Sequence, residues 1–430
     1  MDFISSEEKV DLIDSFNGIE VYRVAVEKFK TNSINIFFLD NLSKENATKN
    51  ALIPAVLRRG TGKHKSFREI ALYLEELYGA SFDCAVSKKG EYQIMQYYID
   101  HVSDRYTGTD TNLFDDCFNL LLEIITEPLL ENGTFRKDYL DQEKDNLKKI
   151  IEARMNDKVQ YAVERCFEEM CKGEPFEIYE NGSIEDLNKI QEADLFNHYK
   201  YILESLPMKV FISGDTDDNK IQSAITKLKK LKRSNIKDLS QPVISKPKRD
   251  INYVTEKLDV SQGKLSIGFR TNTAPDEKDY YSLVVFNSIL GGGIHSKLFQ
   301  NVREKESLAY YAFSRLEKFK GLMMISCGIE INQKDKAKDL ILKQVEDIRQ
   351  GNISDYEYDS SIKSIKTGLE SLKDSQLAIV DFYLSQKISN TRDTLKSLYE
   401  KFEAVTRDEI VEVAKKVELD TIYFLTSENQ

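Results

Sequence analysis

The side chains able to do chemistry are few, and their spacing is restrictive. The chain has four histidines, His64, His101, His198 and His295. No two lie within one helical turn in sequence, so no single helix can present a pair of imidazoles to one metal ion. Five cysteines (Cys84, Cys117, Cys166, Cys171 and Cys327) form no C-x-x-C pair. They are expected to be reduced and packed, with no disulfide and no cysteine-bound zinc. No G-x-S-x-G elbow, dinucleotide fingerprint or Cys/His pair is present, which removes the common free-standing catalytic designs.

The glycine run Gly291, Gly292, Gly293 could cradle an anion with backbone amides at a helix N-terminus. The spacing of a P-loop is absent, so a helix-entry turn is expected. His295 just after it, and His64 between Lys63 and Lys65, read as solvated imidazoles. Arg303 by itself reads as a surface-helix arginine pairing with Glu304 or Glu306, and Tyr310 as a core residue at a strand start. Glu143 reads equally as a solvated helix-face carboxylate, and Tyr92, Tyr97 and Tyr98 as packing residues of a strand. The basic run Lys227–Arg233 reads as a charged helix end facing water.

These groups sit in 430 residues, enough for more than one domain with a sizeable core. Hydrophobic residues at 41%, charged residues at 31% and only 7 prolines describe a helix-rich globular chain. The formal charge of −11 gives no net attraction to nucleic acid or anionic membrane. Asp2, Glu7, Glu8 and Asp11 near the start do not resemble a secretory signal, and no window is apolar enough to span a bilayer. A cytoplasmic location without membrane attachment is expected.

The elements that must position these residues occur twice. A strand-like run Ile34–Leu39 is followed by helical residues 48–59, glycines Gly60 and Gly62, and helical residues 66–78. Residues 264–270 are followed by a helical run from Tyr280 to Leu290, Gly291–Gly293, and a helical stretch from Ser296 to about Lys305. Hairpins over 81–87 and 92–99, and over 310–316 and 322–329, come next. Each half then turns helical, with an apolar stripe from Leu113 to Ile125 in the first and residues 335–350 in the second. Each closes on a helix and a strand, ending at 208–213 and 421–426. The polar stretch with Pro242 and Pro247 suits a linker, with the boundary near residue 240.

With this order in view, the chain resembles the pitrilysin/insulinase superfamily of zinc peptidases, which includes the mitochondrial processing peptidase subunits. The resemblance rests on Gly291-Gly-Gly-Ile-His-Ser-Lys-Leu-Phe-Gln-Asn-Val-Arg-Glu-Lys-Glu-Ser-Leu-Ala-Tyr310, similar to the second-domain signature, and on Leu57-Arg-Arg-Gly-Thr61, similar to the segment after the catalytic helix. It implies an α+β fold: two homologous domains, each a mostly antiparallel sheet packed against helices on one side, arranged as a clamshell. The expected division is residues 1–232, a linker over 233–250, and residues 251–430.

Catalytic members carry H-x-x-E-H, two imidazoles one turn apart with a carboxylate base between them. The corresponding positions here are Ala51, Ala55 and Pro54. The remaining ligand position, seven residues after Glu143, is Ile150. Proline lacks an amide hydrogen, so the helix is expected to start or kink at Pro54. The resemblance therefore implies no metal and no cofactor in this chain, and inactivity when alone.

What the resemblance retains is Arg303 and Tyr310, which in catalytic relatives hold the peptide backbone and donate to the oxyanion. Gly291, Gly292, Gly293 and His295 are the accompanying substrate-binding candidates. The expected role is the non-zinc subunit of a heterodimeric metallopeptidase. Its partners would be a homologous H-x-x-E-H subunit holding the zinc and a peptide substrate laid on an edge strand. A homodimer in the partner's absence, and a non-enzymatic scaffold built on the same fold, are the competing arrangements.

Overall fold

The computed structural model describes residues 9–107, 112–244 and 250–427. Asp2, Glu7, Glu8 and the linker residue Pro247 lie outside them. The first half runs β1 (Lys9–Phe16), β2 (Ile19–Ala25), β3 (Thr31–Asn41), α1 (Ala47–Leu57), α2 (Phe67–Glu76), β4 (Ser81–Lys89), β5 (Tyr92–Val102) and α3 (Leu113–Thr126). It continues with a small hairpin, β6 (Leu130–Glu131) and β7 (Thr134–Phe135), then α4 (Lys137–Ala153), α5 (Lys158–Met170), α6 (Ile184–Lys189), α7 (Glu192–Ser205), β8 (Met208–Gly214) and α8 (Asp218–Leu228).

The second half runs β9 (Asn252–Leu258), β10 (Gly263–Arg270), α9 (Asp279–Gly291), a π-wound helix (Leu298–Lys305), β11 (Ala309–Glu317) and β12 (Leu322–Ile329). Helices α10 (Lys334–Arg349), α11 (Asp355–Leu372), α12 (Gln376–Ile388), α13 (Leu395–Glu403) and α14 (Arg407–Lys416) precede the last strand, β13 (Glu418–Ser427).

The repeat is exact in topology. The first sheet is ordered β1-β2-β8-β3-β5-β4 and the second β9-β13-β10-β12-β11, so every strand of the first sheet except β1 has a counterpart in the second. Each sheet is antiparallel apart from one parallel pair, β2 with β8 and β9 with β13. Strands β3 and β10 are central and buried along both faces.

That double covering departs from the expected one-sided packing. One face of the first sheet (Ile34, Ile36, Tyr97, Ile212) packs on α1, α3 and α7 of its own half. The other face, with Phe37, Leu39 and Phe211, shares a core with Ile379, Val380 and Tyr383 of α12, from the second half. Reciprocally, α5 of the first half lays Ala162, Cys166 and Met170 on Met324, Tyr423 and Leu425 of the second sheet. The approach is close: a Cβ at Gly268 on β10 would stand 2.1 Å from Met170 Sδ. Each half supplies the helix that buries the other's sheet. A fully buried aliphatic side chain stabilises by about 1.5–3 kcal/mol, so Ile379 and Val380 on α12 together outweigh any surface ion pair between the halves.

Where the halves meet, charge is buried. Lys320, fully buried, bonds Glu91 and lies 2.9 Å from both Glu174 Oε2 and the Val243 carbonyl. Glu174 also accepts from Arg270 (3.1 Å), whose Nε donates to Asp420 at 2.8 Å. Carboxylates from the first half thus clamp cations from the second. The turns of the two hairpins touch beside this knot, where Gly90 at φ +57° would place a Cβ 2.7 Å from the Phe319 carbonyl. In the described part of the linker Lys237 bonds Asp40 at 2.6 Å. Lys227 and Lys229 are ion-paired to Asp115 and Asp14 rather than simply solvated. Among the described residues no helix is long and apolar enough to cross a membrane.

Lys320→Ala is expected to destabilise the chain by about 3–5 kcal/mol, because it leaves the buried Glu91 carboxylate without its cation and Glu174 with Arg270 alone. Urea unfolding followed by circular dichroism measures this, and an unchanged midpoint would contradict the clamp.

Candidate functional site

The second-half site begins where α9 ends. Leu283, Phe286, Ile289 and Leu290 of this helix are buried, and it stops at the glycines. Gly291 leaves no room for a side chain, since a Cβ there would stand 2.3 Å from the Ser314 amide nitrogen on β11. Gly292, Gly293 and Ile294 face outward, Ile294 being 68% exposed. His295 turns back inward. It is buried, with Nε2 3.5 Å from Ser288 Oγ, and burial pushes its pKa down, so it is a neutral prop beneath the turn and not a solvated cap. Lys297, also buried, fixes the turn from below through Glu357 (2.9 Å), which caps α11 with Ser354.

Three backbone irregularities follow. The segment expected to be an ordinary helix is π-wound over Leu298–Lys305, with the Glu306 amide reaching the Asn301 carbonyl at 3.2 Å. Ser307 then takes φ +50°, costly for a residue other than glycine. In the β11–β12 ladder Ala309 pairs with Ile329 and Tyr311 with Gly328, so Tyr310 is the unpaired residue of a β-bulge. π-winding and bulges re-aim side chains and concentrate at functional sites. Here Leu298 and Val302 stay in the core while Arg303 and Tyr310 are turned out.

Arg303 is only loosely held, 4.7 Å from the Phe299 ring centroid and 3.7 Å from Glu304 Oε1. Tyr310 is 52% exposed, which replaces the core position expected of it from sequence alone. Its hydroxyl donates to the Glu330 carboxylate, and that hydrogen bond raises its pKa. At neutral pH the stretch therefore offers a guanidinium and a protonated phenol to the outside. Such donors suit a carbonyl or a developing oxyanion. Sequence reasoning missed Glu330, which carries no motif and meets Tyr310 only through strand register.

The equivalent region of the first half is inert. Helix α1 runs straight through Pro54 from Ala47 to Leu57, so it does not start at the proline. Ala51 and Pro54 are buried and Ile150, at the remaining ligand position, is 53% exposed on α4. Glu143 is buried and ion-paired to Arg59, with Asn146 Nδ2 donating to it at 3.2 Å. Among the described residues no three His, Cys, Asp or Glu side chains converge as metal ligands would. This donor set does not fit zinc: the facing carboxylate is already neutralised by a guanidinium, and the helix offers it only alanine and proline.

Two histidines brace this region. His198 Nε2 is 2.7 Å from Asn50 Oδ1 on α1, and Asn50 Nδ2 donates to Gln93 (2.9 Å) and Asp40 (3.2 Å). Burial pushes the His198 pKa down to about 4. His64, expected in solvent, instead stacks on Tyr73 and bonds Glu123 (3.0 Å). Burial pushes the Glu123 carboxyl up, and bonds from Thr61 and His64 more than offset it, leaving it below the usual carboxylate range.

Comparison with known proteins agrees with this geometry. Residues 189–365 match the family described as Peptidase M16 inactive domain. A Bacillus subtilis (strain 168) protein named probable inactive metalloprotease YmfF is 35% identical over 415 residues, covering 96% of this chain and 97% of its own. The crystal structure of a conserved protein from Enterococcus faecalis V583 matches at TM-score 0.90 with 30% identity, covering 99% of this chain and all of that one. A protease from Helicobacter pylori shares the fold at TM-score 0.82 with 18% identity, covering 97% of this chain and 99% of its own.

Because His198 is held neutral in the fold but titrates near its ordinary ~6.5 when unfolded, its contribution is present above that pH and lost as pH falls toward 4. Between pH 7.5 and 4.5 wild type should lose about 2 kcal/mol more stability than His198→Gln. Urea unfolding at the two pH values checks this, and equal losses would contradict it.

Proposed function

This chain belongs to the peptidase M16 family, and from that premise we propose that it is the non-zinc subunit of a two-chain peptidase. It presents Arg303 and Tyr310 to a homologue that carries H-x-x-E-H. The observation that carries the reading is the run of π-winding, left-handed Ser307 and bulge that turns those two side chains outward, in a chain whose α1 has no metal ligands. A protein with no use for exposed donors here has little reason to keep three costly distortions within thirteen residues.

In this reading the Arg303 guanidinium forks onto a backbone carbonyl of the bound peptide and holds the scissile bond in place. The Tyr310 hydroxyl donates to the carbonyl oxygen as it gains negative charge, an interaction stronger in the transition state than in the ground state. The H-x-x-E-H residues of the homologue would hold zinc, which would supply an activated water. The exposed turn at Gly292 and Gly293 offers its backbone to the peptide, while His295 supports that turn from beneath. The substrate class is an extended peptide, and the working unit is the heterodimer.

Peptidase activity of this chain mixed with an H-x-x-E-H homologue tests the proposal. Arg303→Ala and Tyr310→Phe should each lower kcat of the mixture about 10²–10³-fold, with both variants still co-eluting with the partner. Full activity in both variants would overturn the assignment and favour a scaffold role.

A further inference from the structure

A phenol has one proton to donate, and that of Tyr310 is already given to Glu330. We propose that Glu330 is a positioning residue that restrains Tyr310 in the unassembled chain, and that catalysis requires this contact to break. The inference rests on the role proposed above for Tyr310.

The juxtaposition is built into the ladder. Ala309 pairs with Ile329, so the bulged Tyr310 and the next residue of the other strand, Glu330, stand at the same end of the hairpin. Glu330 starts a short turn with its backbone, the Gln333 amide bonding its carbonyl at 2.9 Å, but its side chain caps nothing. Among the described residues the Glu330 carboxylate forms no ion pair and the Tyr310 hydroxyl has no second hydrogen-bond partner. Both residues are exposed, so packing does not enforce the contact and water can replace it.

Two consequences follow for the assembled enzyme. While the phenol donates to Glu330 it cannot donate to a substrate oxygen. An unpaired carboxylate beside Tyr310 also opposes negative charge developing on that oxygen, since like charges at hydrogen-bonding range repel. Glu330 therefore competes with the transition state for one hydrogen-bond donor and opposes the charge that forms on the substrate oxygen. Removing it frees the donor without touching the fold, because neither the ladder nor the turn uses the side chain.

The test uses the full chain and its mixture with the zinc-bearing homologue. In the isolated chain, 13C-labelled tyrosine is followed by NMR across alkaline pH, with the Tyr310 signal identified by its loss in Tyr310→Phe. Glu330→Ala and Glu330→Gln should move that ionisation down toward ordinary tyrosine, and Glu330→Asp should restore part of the wild-type behaviour. In the mixture Glu330→Ala should raise kcat about three- to tenfold with KM unchanged, and the gain should vanish in the Tyr310→Phe/Glu330→Ala double variant. An unmoved ionisation, or a kcat that stays level or falls, overturns the restraint. Separately, Tyr310→Phe alone leaving the mixture fully active removes the proposed role of Tyr310, and the restraint falls with it.

Discussion

The buried ammonium of Lys320 is the constraint on which the rest of the arrangement depends. It stands on the β11–β12 turn of the second half and is bonded by Glu91 and Glu174 of the first. Glu174 passes the contact on to Arg270, and Arg270 to Asp420. A buried ion pair adds little net stability over an apolar replacement, but it is costly to break, so it acts chiefly by selecting one arrangement. The arrangement selected is the one in which α5 and α12 cross over to bury each other's sheets. Neither half has both faces of its sheet covered without the other. The far end of the clamped hairpin carries Tyr310, so the same knot sets where the outward donors stand relative to the first half.

From that frame the two halves diverge in chemistry while sharing topology. In the first, the helix beside the glycine turn is lined with alanine and proline, and its facing carboxylate is neutralised from within by Arg59. In the second, the segment after the glycine turn is π-wound and followed by a bulge, and it delivers a cation and a phenol to the outside. One region has closed its electrostatics internally. The other leaves them open, with Arg303 weakly paired and Tyr310 held by a single exposed carboxylate. This asymmetry is what a subunit would need if it contributed donors but no metal to a shared site.

Much of the fold was legible from sequence because strand and helix patterns are local. The hairpins over 81–102 and 309–329 and the closing strands β8 and β13 lie within a few residues of their expected limits. The glycine run and the Arg303 to Tyr310 spacing were legible as a signature. The second layer of helices was not, because α5 and α12 look like ordinary amphipathic segments and nothing local says that their apolar faces belong to the other half. Lys320 and Glu91 are 229 residues apart, and no periodicity links them. His64 and His295 were misread because lysine neighbours and a glycine run suggest solvent, while the folded chain sets His64 against Tyr73 and Glu123 and turns His295 back onto Ser288. Residue types alone predicted an ordinary helix over Leu298–Lys305, because Leu298 and Val302 have the spacing of a helix face and do not distinguish π-winding from it.

The most direct test of the central claim is the affinity of the zinc-bearing homologue for a phosphinic peptide, whose tetrahedral oxyanion imitates the reaction intermediate. It is measured by calorimetry for the homologue alone, with this chain, and with its Tyr310→Phe variant. The account predicts that the wild-type chain tightens binding by about 10²-fold and that the variant loses most of that gain. Equal affinity in all three measurements would contradict the claim that this chain supplies the oxyanion donor.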